Sequence, residues 1–362
     1  MSSYNFGQVN PLTMNQQKWI EILSRINTGS ITSNSTYSEF THTPYELCTS
    51  ILNQVALSGD ICIISNPEWL LCDVDYSKIN SITFVTDCNL KHRYITALAN
   101  KYNIPVTIVG MNLLLEGKIN MKFDVVVGNP PYQKQNSKAK RWTLWEEFVK
   151  KSKSLADTVI MVTPQSITSP GPFELIKENV TLINIDVSKY FAVGSTFCFW
   201  MIDTTKTINS TKIITATDEY QLDLTKIDFL PSTITTETLD LINSLTSRKS
   251  RTWQRGELHT SKIGLFSTNG KYEVMHTNAQ TLKSDVEHPN RTKTRVAVTL
   301  SGYPTFKVIT NGYTSQACFW TECDTIQDAQ ALADECNGPE IQKILSIFKW
   351  SGWNSKEVIK CL

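Results

Sequence analysis

The run Phe123-Asp124-Val125-Val126-Val127 is apolar and mostly β-branched apart from Asp124, and it breaks off at Gly128-Asn129-Pro130-Pro131-Tyr132. A short, nearly continuous apolar run reads as a strand buried on both faces, which requires a parallel sheet covered by helices on each side. The two prolines end it, because neither can donate to a sheet ladder and each fixes its own φ. The chain thus sets an amide, a rigid carbonyl pair and an aromatic ring at the carboxyl end of a central strand. In open α/β sheets that edge is where ligands bind.

The residue types at this corner suit one chemistry. Asn129 offers a side-chain oxygen and Pro130 a carbonyl of fixed direction, two acceptors matched to a planar NH2 group. Accepting both amine hydrogens pushes the nitrogen away from planarity and leaves its lone pair free to attack. Tyr132 adds a flat face on which a planar substrate can stack. No general base of unusual pKa is needed, because the nitrogen sheds its proton after alkylation. The plain alternative is a strand-ending turn with a structural tyrosine.

Strands are predicted over 61–64, 81–86, 104–109, 158–162, 180–187 and 195–202, and helices over 44–57, 90–102 and 142–155. Thr43 is placed to cap the first of these helices, with Pro44 at its first position. Strand–helix alternation from 44 to 187 implies right-handed crossovers and a mostly parallel sheet. Residues 188–194 leave no room for a helix, so the last two strands read as an antiparallel closing hairpin. Beyond 205, Thr, Ser and Asn increase and the rhythm stops. A helix over 232–245 then precedes short strands over 271–276, 295–300 and 305–310. An acidic stretch, 322–340, and an aromatic helix over 341–350 follow. Three segments result: a leader over 1–40 with one helix over 16–26, an α/β domain over 41–205, and a mixed α+β domain over 206–362.

The Asn129-Pro130-Pro131-Tyr132 corner after a buried strand resembles the S-adenosylmethionine-dependent amino-methyltransferases of the Asn-Pro-Pro-Tyr class, which act on adenine N6 in DNA. The TaqI-like gamma-class enzymes of restriction–modification systems have the most similar motif order. The resemblance implies a Rossmann-like methyltransferase sheet followed by a target-recognition domain. Asn129, Pro130, Pro131 and Tyr132 would be the catalytic corner, and Phe191, in the join of the hairpin, would stack on the target base opposite Tyr132. Thr43 and Pro44 match the family's contact with the methionine part of the cofactor. Asp87, at the tip of the second strand, matches the acid that binds the ribose. Thr86 would take that place under a one-residue shift. Asn112 stands where an Asp often binds the cofactor's adenine, and Pro131 also lies on the cofactor side. After the first strand the family carries an acid and a glycine-rich turn, whereas this chain reads Ser65-Asn66-Pro67-Glu68-Trp69 with no glycine. Asn66 there would face the amino-acid end of the cofactor.

A net charge of +1 argues against a generic polyanion binder, yet it hides two basic blocks. Residues 248–307 carry eleven Lys and Arg against four Asp and Glu, and residues 134–153 carry seven against two. This asymmetry fits one face for phosphates, with solvated surface helices as the bland alternative. Candidates for DNA contact are Lys138, Lys140 and Arg141 after the corner, and Arg251, Arg255, Arg291, Lys293 and Arg295 farther on. Nine cysteines without a Cys-x-x-Cys pair read as reduced, buried thiols, and no metal is expected. No apolar run approaches a membrane span and residues 1–17 are polar, so a cytoplasmic protein of prokaryotic or phage type without a membrane partner is expected.

The expected activity is transfer of a methyl group from S-adenosylmethionine to the N6 of an adenine flipped out of double-stranded DNA. The protein is expected to act as a monomer on DNA, with a cognate restriction endonuclease as a candidate partner. The same corner would also serve cytosine N4, an RNA adenine or a protein glutamine. A non-catalytic or partner-dependent DNA-binding subunit fits the glycine-less turn.

Overall fold

Val125, Val126 and Val127 are all buried, so this strand does face protein on both sides. The computed structural model describes residues 43–132, 144–191, 196–205, 207–246, 251–259, 266, 269–278, 280–349 and 354–362. The helix expected over 16–26 and the basic loop over 133–141 lie outside the described residues. The chain divides into two compact units, Met1–Ile167 with Gly171–Asp228, and Thr168–Pro170 with Phe229–Leu362.

In the first unit, α1 (Tyr45–Leu52) precedes β1 (Gly59–Ile64), β2 (Ile79–Val85), α2 (Asn89–Tyr102) and β3 (Val106–Val109). Then come α3 (Met111–Leu115), β4 (Phe123–Gly128), α4 (Leu144–Leu155) and β5 (Ala156–Pro164). Four strands complete it: β6 (Val180–Asn184), β7 (Phe197–Asp203), β8 (Thr211–Ile214) and β9 (Glu219–Leu222). All nine form one sheet of order β3-β2-β1-β4-β5-β7-β6-β8-β9. The pairs from β3 through β5 are parallel, while β7 runs antiparallel to both β5 and β6. This is the expected α/β class, mostly parallel with an antiparallel β6–β7 closure.

Two local expectations shift. Pro44, not Thr43, is the cap of α1, because its carbonyl accepts the first helical bonds, from Leu47 N and Cys48 N, at 3.0 Å each. The first unit also runs past the boundary expected at 205. There β8 pairs parallel with β6, and β9 folds back on β8, so 211–222 extend the same sheet. Strands of four residues are too short for their alternation to be told from loop.

The lone charge within the central run also has its reason. Asp124 is exposed at the start of β4 and accepts a hydrogen bond from Asp60 N at 2.7 Å, tying the amino ends of β1 and β4 together. At the other end Ile64 pairs with Val85 on one side and Gly128 on the other. The chain leaves β1 for β2 on one side and reaches β4 only later on the other, so the β1–β4 junction is the topological switch point.

Among the described residues, the second unit holds two sheets. One has order β10-β16-β13-β14, from Gln254–Arg255, Cys318–Glu322, Arg295–Thr299 and Phe306–Ile309. The other is β12-β11-β15, from Thr281–Ser284, Tyr272–Met275 and Tyr313–Thr314. Helices α5 (Thr236–Thr246), α6 (Ile326–Asn337), α7 (Pro339–Ile347) and α8 (Lys356–Lys360) accompany them. The acidic stretch forms α6, capped by Thr325 Oγ1 accepting from Asp328 N. It buries Ala329, Leu332, Ala333 and Cys336. All nine cysteines are free and seven are buried; desolvation pushes the thiols of Cys62, Cys198 and Cys318 up to about 12. Among the described residues, no helix is long and apolar enough to cross a membrane.

Gly128 allows β4 to lie against β1 at the switch point. A Cβ there would stand 2.8 Å from Ile64 Cβ and 2.9 Å from Ile64 O, both on a buried strand that cannot yield. Gly128→Ala is therefore expected to destabilise the first unit by about 1–3 kcal/mol, read as a lower urea midpoint.

Candidate active site

Asn129 follows the last residue of β4 and is 1% exposed. Pro130 and Pro131 are buried beside it, and Tyr132 keeps a partly exposed edge. The Tyr132 hydroxyl donates to Asn129 Oδ1 at 2.5 Å, while Asn129 Nδ2 is buried with no hydrogen-bond partner among the described residues. Rotating the amide by 180° about its Cβ–Cγ bond exchanges these places. Nδ2 then donates to the tyrosine oxygen, and Oδ1 takes the unpartnered position. Desolvation pushes the Tyr132 phenol well above its ordinary value, with Cys198 acting in the same direction and the Asn129 bond against it. The ring therefore stays a neutral hydroxyl donor at any ordinary pH.

Tyr132 and Phe191, expected to sandwich a base, both rest on a third ring. Phe197, the first residue of β7, lies 5.7 Å from Tyr132 with planes 28° apart, and 4.5 Å from Phe191 with planes 39° apart. Ser188 Oγ accepts from Phe197 N at 3.0 Å, fixing the start of β7 against the 3-10 turn Ser188–Tyr190. Below this cluster, Trp200 Nε1 donates to Thr163 Oγ1 at 2.9 Å across the β5–β7 pair. Phe197 was not singled out from the sequence. Its only signal is the aromatic run Phe197, Phe199 and Trp200, which reads equally as core.

On the other side of β4 stand the residues expected to face a cofactor. Asp87, past the tip of β2, accepts a hydrogen bond from Met111 N at 3.0 Å and so fixes the start of α3. Asn112 is exposed in the first turn of α3, while Thr86 is buried and its Oγ1 accepts from Cys88 N. Thr43 and Asn66 are fully buried. Ser65, immediately after β1, has φ +70 and is 1% exposed. It provides the left-handed turn for which a glycine is the usual residue. From there the chain enters a 3-10 turn, Pro67–Leu71, all five residues of which are buried, and α1 packs against it. Two hydroxyls here, Thr43 Oγ1 and Ser65 Oγ, are buried without a hydrogen-bond partner among the described residues. Buried polar atoms are ordinarily satisfied, so these orphans mark places where a bound group would bond. A polar cofactor with hydroxyl and amino-acid groups fits this donor set.

The second unit places the expected DNA-contact residues differently from one another. Arg251 and Arg255 are exposed, and Arg255 Nε donates to Gln316 O at 2.9 Å. Lys293 forms a half-exposed pair with Glu322 at 2.7 Å. Arg291 donates to Asn311 and Glu287 and covers the Tyr272 ring. Arg295 is a correction. It is fully buried, bonded to Glu257 and to the Gly312 carbonyl, and lies over the Trp320 ring. Desolvation lowers its pKa, against the pull of Glu257. Its charge is consumed inside the unit and is not presented to a phosphate or base. Lys138, Lys140 and Arg141 lie outside the described residues.

Residues 72–209 match the Eco57I restriction-modification methylase family, a span that holds β2 through β7 and the Asn129–Tyr132 corner. No curated protein matches the chain in sequence. Among solved structures, the type IIG restriction endonuclease BpuSI is similar at 9% identity and a TM-score of 0.45, covering 96% of this chain and 60% of its own. Two others carry provisional descriptions. One, a modification subunit of a type I restriction enzyme from Vibrio vulnificus YJ016, is 12% identical with a TM-score of 0.41, covering 76% of this chain and 64% of its own. The other, a class I S-adenosylmethionine-dependent methyltransferase from Listeria monocytogenes, is 12% identical with a TM-score of 0.39, covering 58% and 75%.

The buried and exposed basic residues of the second unit should behave oppositely on truncation. Arg295→Ala leaves Glu257 buried without its counter-charge and is expected to destabilise by about 3–5 kcal/mol. Lys293→Ala, which breaks a half-exposed pair, should change stability by less than about 1 kcal/mol. Urea unfolding of the two variants checks the contrast.

Proposed function

We propose that this protein is a DNA adenine-N6 methyltransferase of the restriction–modification kind. The observation that carries the reading is the buried Asn129 amide at the end of β4, beside the switch point and the Tyr132–Phe197–Phe191 ring cluster. S-adenosylmethionine is the expected methyl donor, and when bound it supplies a methyl group activated by a sulfonium sulfur. Thr43, Pro44, Asn66, Asp87, Asn112 and Pro131 would hold it, with Asp87 already steadied by the Met111 amide.

The chain's own part is placement. With the amide rotated, Asn129 Oδ1 accepts one hydrogen of the target amine and the Pro130 carbonyl the other, keeping the nitrogen lone pair directed at the methyl carbon. The target ring stacks on the aromatic cluster, and stacking of about 1–3 kcal/mol per base offsets part of the unpairing cost. Fixing both reactants at one strand edge supplies the remaining advantage through proximity. Double-stranded DNA is the substrate on this reading. The second unit and its exposed Arg251 and Arg255 serve target recognition, in a cytoplasmic protein that works as a monomer on DNA. A cognate restriction endonuclease is the candidate partner. One observation favours a non-catalytic DNA-binding role instead, namely the fully buried Pro67–Leu71 turn where a glycine-rich turn is usual.

Tritiated-methyl transfer to unmethylated genomic DNA, followed by nucleoside analysis, tests the reading directly. Label in N6-methyladenine is expected, whereas N4-methylcytosine would replace the assigned base and no label would favour the non-catalytic role. Asn129→Ala should lower transfer by about 100-fold or more while duplex binding persists. Duplex affinity should also fall by about an order of magnitude or more as salt rises from roughly 50 to 200 mM.

A further inference from the structure

Residues 300–305 join β13 to β14, and the turn they make is tied down from outside. Leu300 O accepts from Asn354 N at 2.7 Å, and Ser301 O from Thr299 Oγ1 at 3.0 Å. Gly302 O accepts from Lys349 Nζ at 3.0 Å and from Asn354 Nδ2 at 3.3 Å. Tyr303 O accepts from Asn278 Nδ2 and, at 2.9 Å, from Thr305 N, while Pro304 O accepts from Gln342 Nε2 at 2.8 Å. Five consecutive carbonyls are thus bonded, the last three by side chains from elsewhere in the second unit. Connecting turns are ordinarily the loosest part of a domain, and this one is held.

What the turn holds out is a ring. Tyr303 is 66% exposed, the highest value among the large apolar and aromatic side chains of the described residues. Buried Pro304 follows it and restricts its backbone, so little ordering is left to be done when the ring meets a partner. Size separates the classes of partner. One tyrosine covers about 150–250 Å², well short of the roughly 800 Å² per side of a stable protein interface. The other exposed large apolar residues described in the second unit, Val286 and Ile326, lie outside this turn. A single nucleobase, by contrast, is matched by a single ring. Charge points the same way. The Lys349 ammonium has two N–H groups beyond the one on Gly302 O. The other side chains from elsewhere that bond the turn, those of Asn278, Gln342 and Asn354, are neutral amides, and none is an acid.

We propose that Tyr303 is a stacking surface for an unpaired or opened nucleobase of the bound DNA, with Lys349 placed for an adjoining phosphate. This rests on the DNA reading above and adds to it a contact made to the face of a base rather than to its edge. A paired base presents only edges in the grooves, so the base that meets Tyr303 has left the stack. Every base has a π-face, and the ring therefore supplies affinity without sequence discrimination.

The test uses the full chain and fluorescein-labelled oligothymidylate, with binding read by anisotropy. Thymine carries no exocyclic amine, so the Asn129 corner has no NH2 group to hold in this probe. Tyr303→Ala and Tyr303→Leu are expected to bind about tenfold more weakly than wild type, and Tyr303→Phe within about twofold of it. Lys349→Gln should lower the slope of log affinity against log salt by about 0.7, the share of one phosphate on a single strand. All three Tyr303 variants should keep the wild-type melting temperature, because the ring is exposed. Wild-type affinity in Tyr303→Ala overturns the proposal and leaves the ring to a protein partner, and wild-type affinity in Tyr303→Leu overturns stacking. An unchanged salt slope in Lys349→Gln overturns the phosphate contact. A lower melting temperature for Tyr303→Ala would make the ring part of the fold and overturn the proposal too. If wild type holds duplex DNA but not oligothymidylate, this proposal alone fails; if it holds neither, the DNA reading fails with it.

Discussion

The close approach of β4 to β1 is the constraint on which the rest of the first unit depends. It requires Gly128, since any side chain there would collide with Ile64. It is pinned at the opposite end by Asp124 accepting from Asp60 N. With those two ends fixed, β1 and β4 release their chains at one level and in one direction. Everything chemically notable in the unit follows at that level: the left-handed Ser65, the Asn129 amide, the two prolines and the Tyr132 ring. The sheet changes winding direction there, and two polar groups at the exits, Ser65 Oγ and one arm of the Asn129 amide, are buried but unsatisfied among the described residues.

The aromatic side of the corner is organised by β7 rather than by β4. Phe197 lies between the contributions of two separate segments, touching Tyr132 from the β4 exit and Phe191 from the β6–β7 connection. Because β7 runs antiparallel between β5 and β6, its first residue arrives at the same edge where the parallel strands end. The antiparallel strand thereby supplies a ring that meets both expected stacking residues. In the second unit, by contrast, one of the basic residues, Arg295, is spent internally. The Arg295–Glu257 pair also anchors Thr314, whose N–H and hydroxyl both donate to Glu257 Oε2. That network fastens β13 to β15, so a charge count along the chain overstates what this unit offers to a polyanion.

Strong periodic signals carried from sequence to structure. The buried run at Phe123, the helix expected over 142–155 and found at Leu144–Leu155, and the antiparallel turn-back of β7 were all legible, since each rests on local pattern or on a join too short for a helix. The short strands β8 and β9 were not, because four residues are too few to show a period and are defined by the partner they meet. Arg295 was misread for a similar reason. Nothing in a local window distinguishes an arginine that faces water from one folded over Trp320.

Sequence alone determined the class of sheet and the strand end that carries the candidate site, because a β-branched run closed by two prolines fits few architectures. Tertiary structure decided which polar groups at that edge are bonded and which are not. It turned Ser65 left-handed and set Phe197 against Tyr132. It also gave the Tyr132 hydroxyl to Asn129. The first two depend on contacts with residues twenty or more positions away, Val85 for Ser65 and Tyr132 for Phe197, and such contacts exist only once neighbouring strands have fixed their register; the third is local, between residues three positions apart.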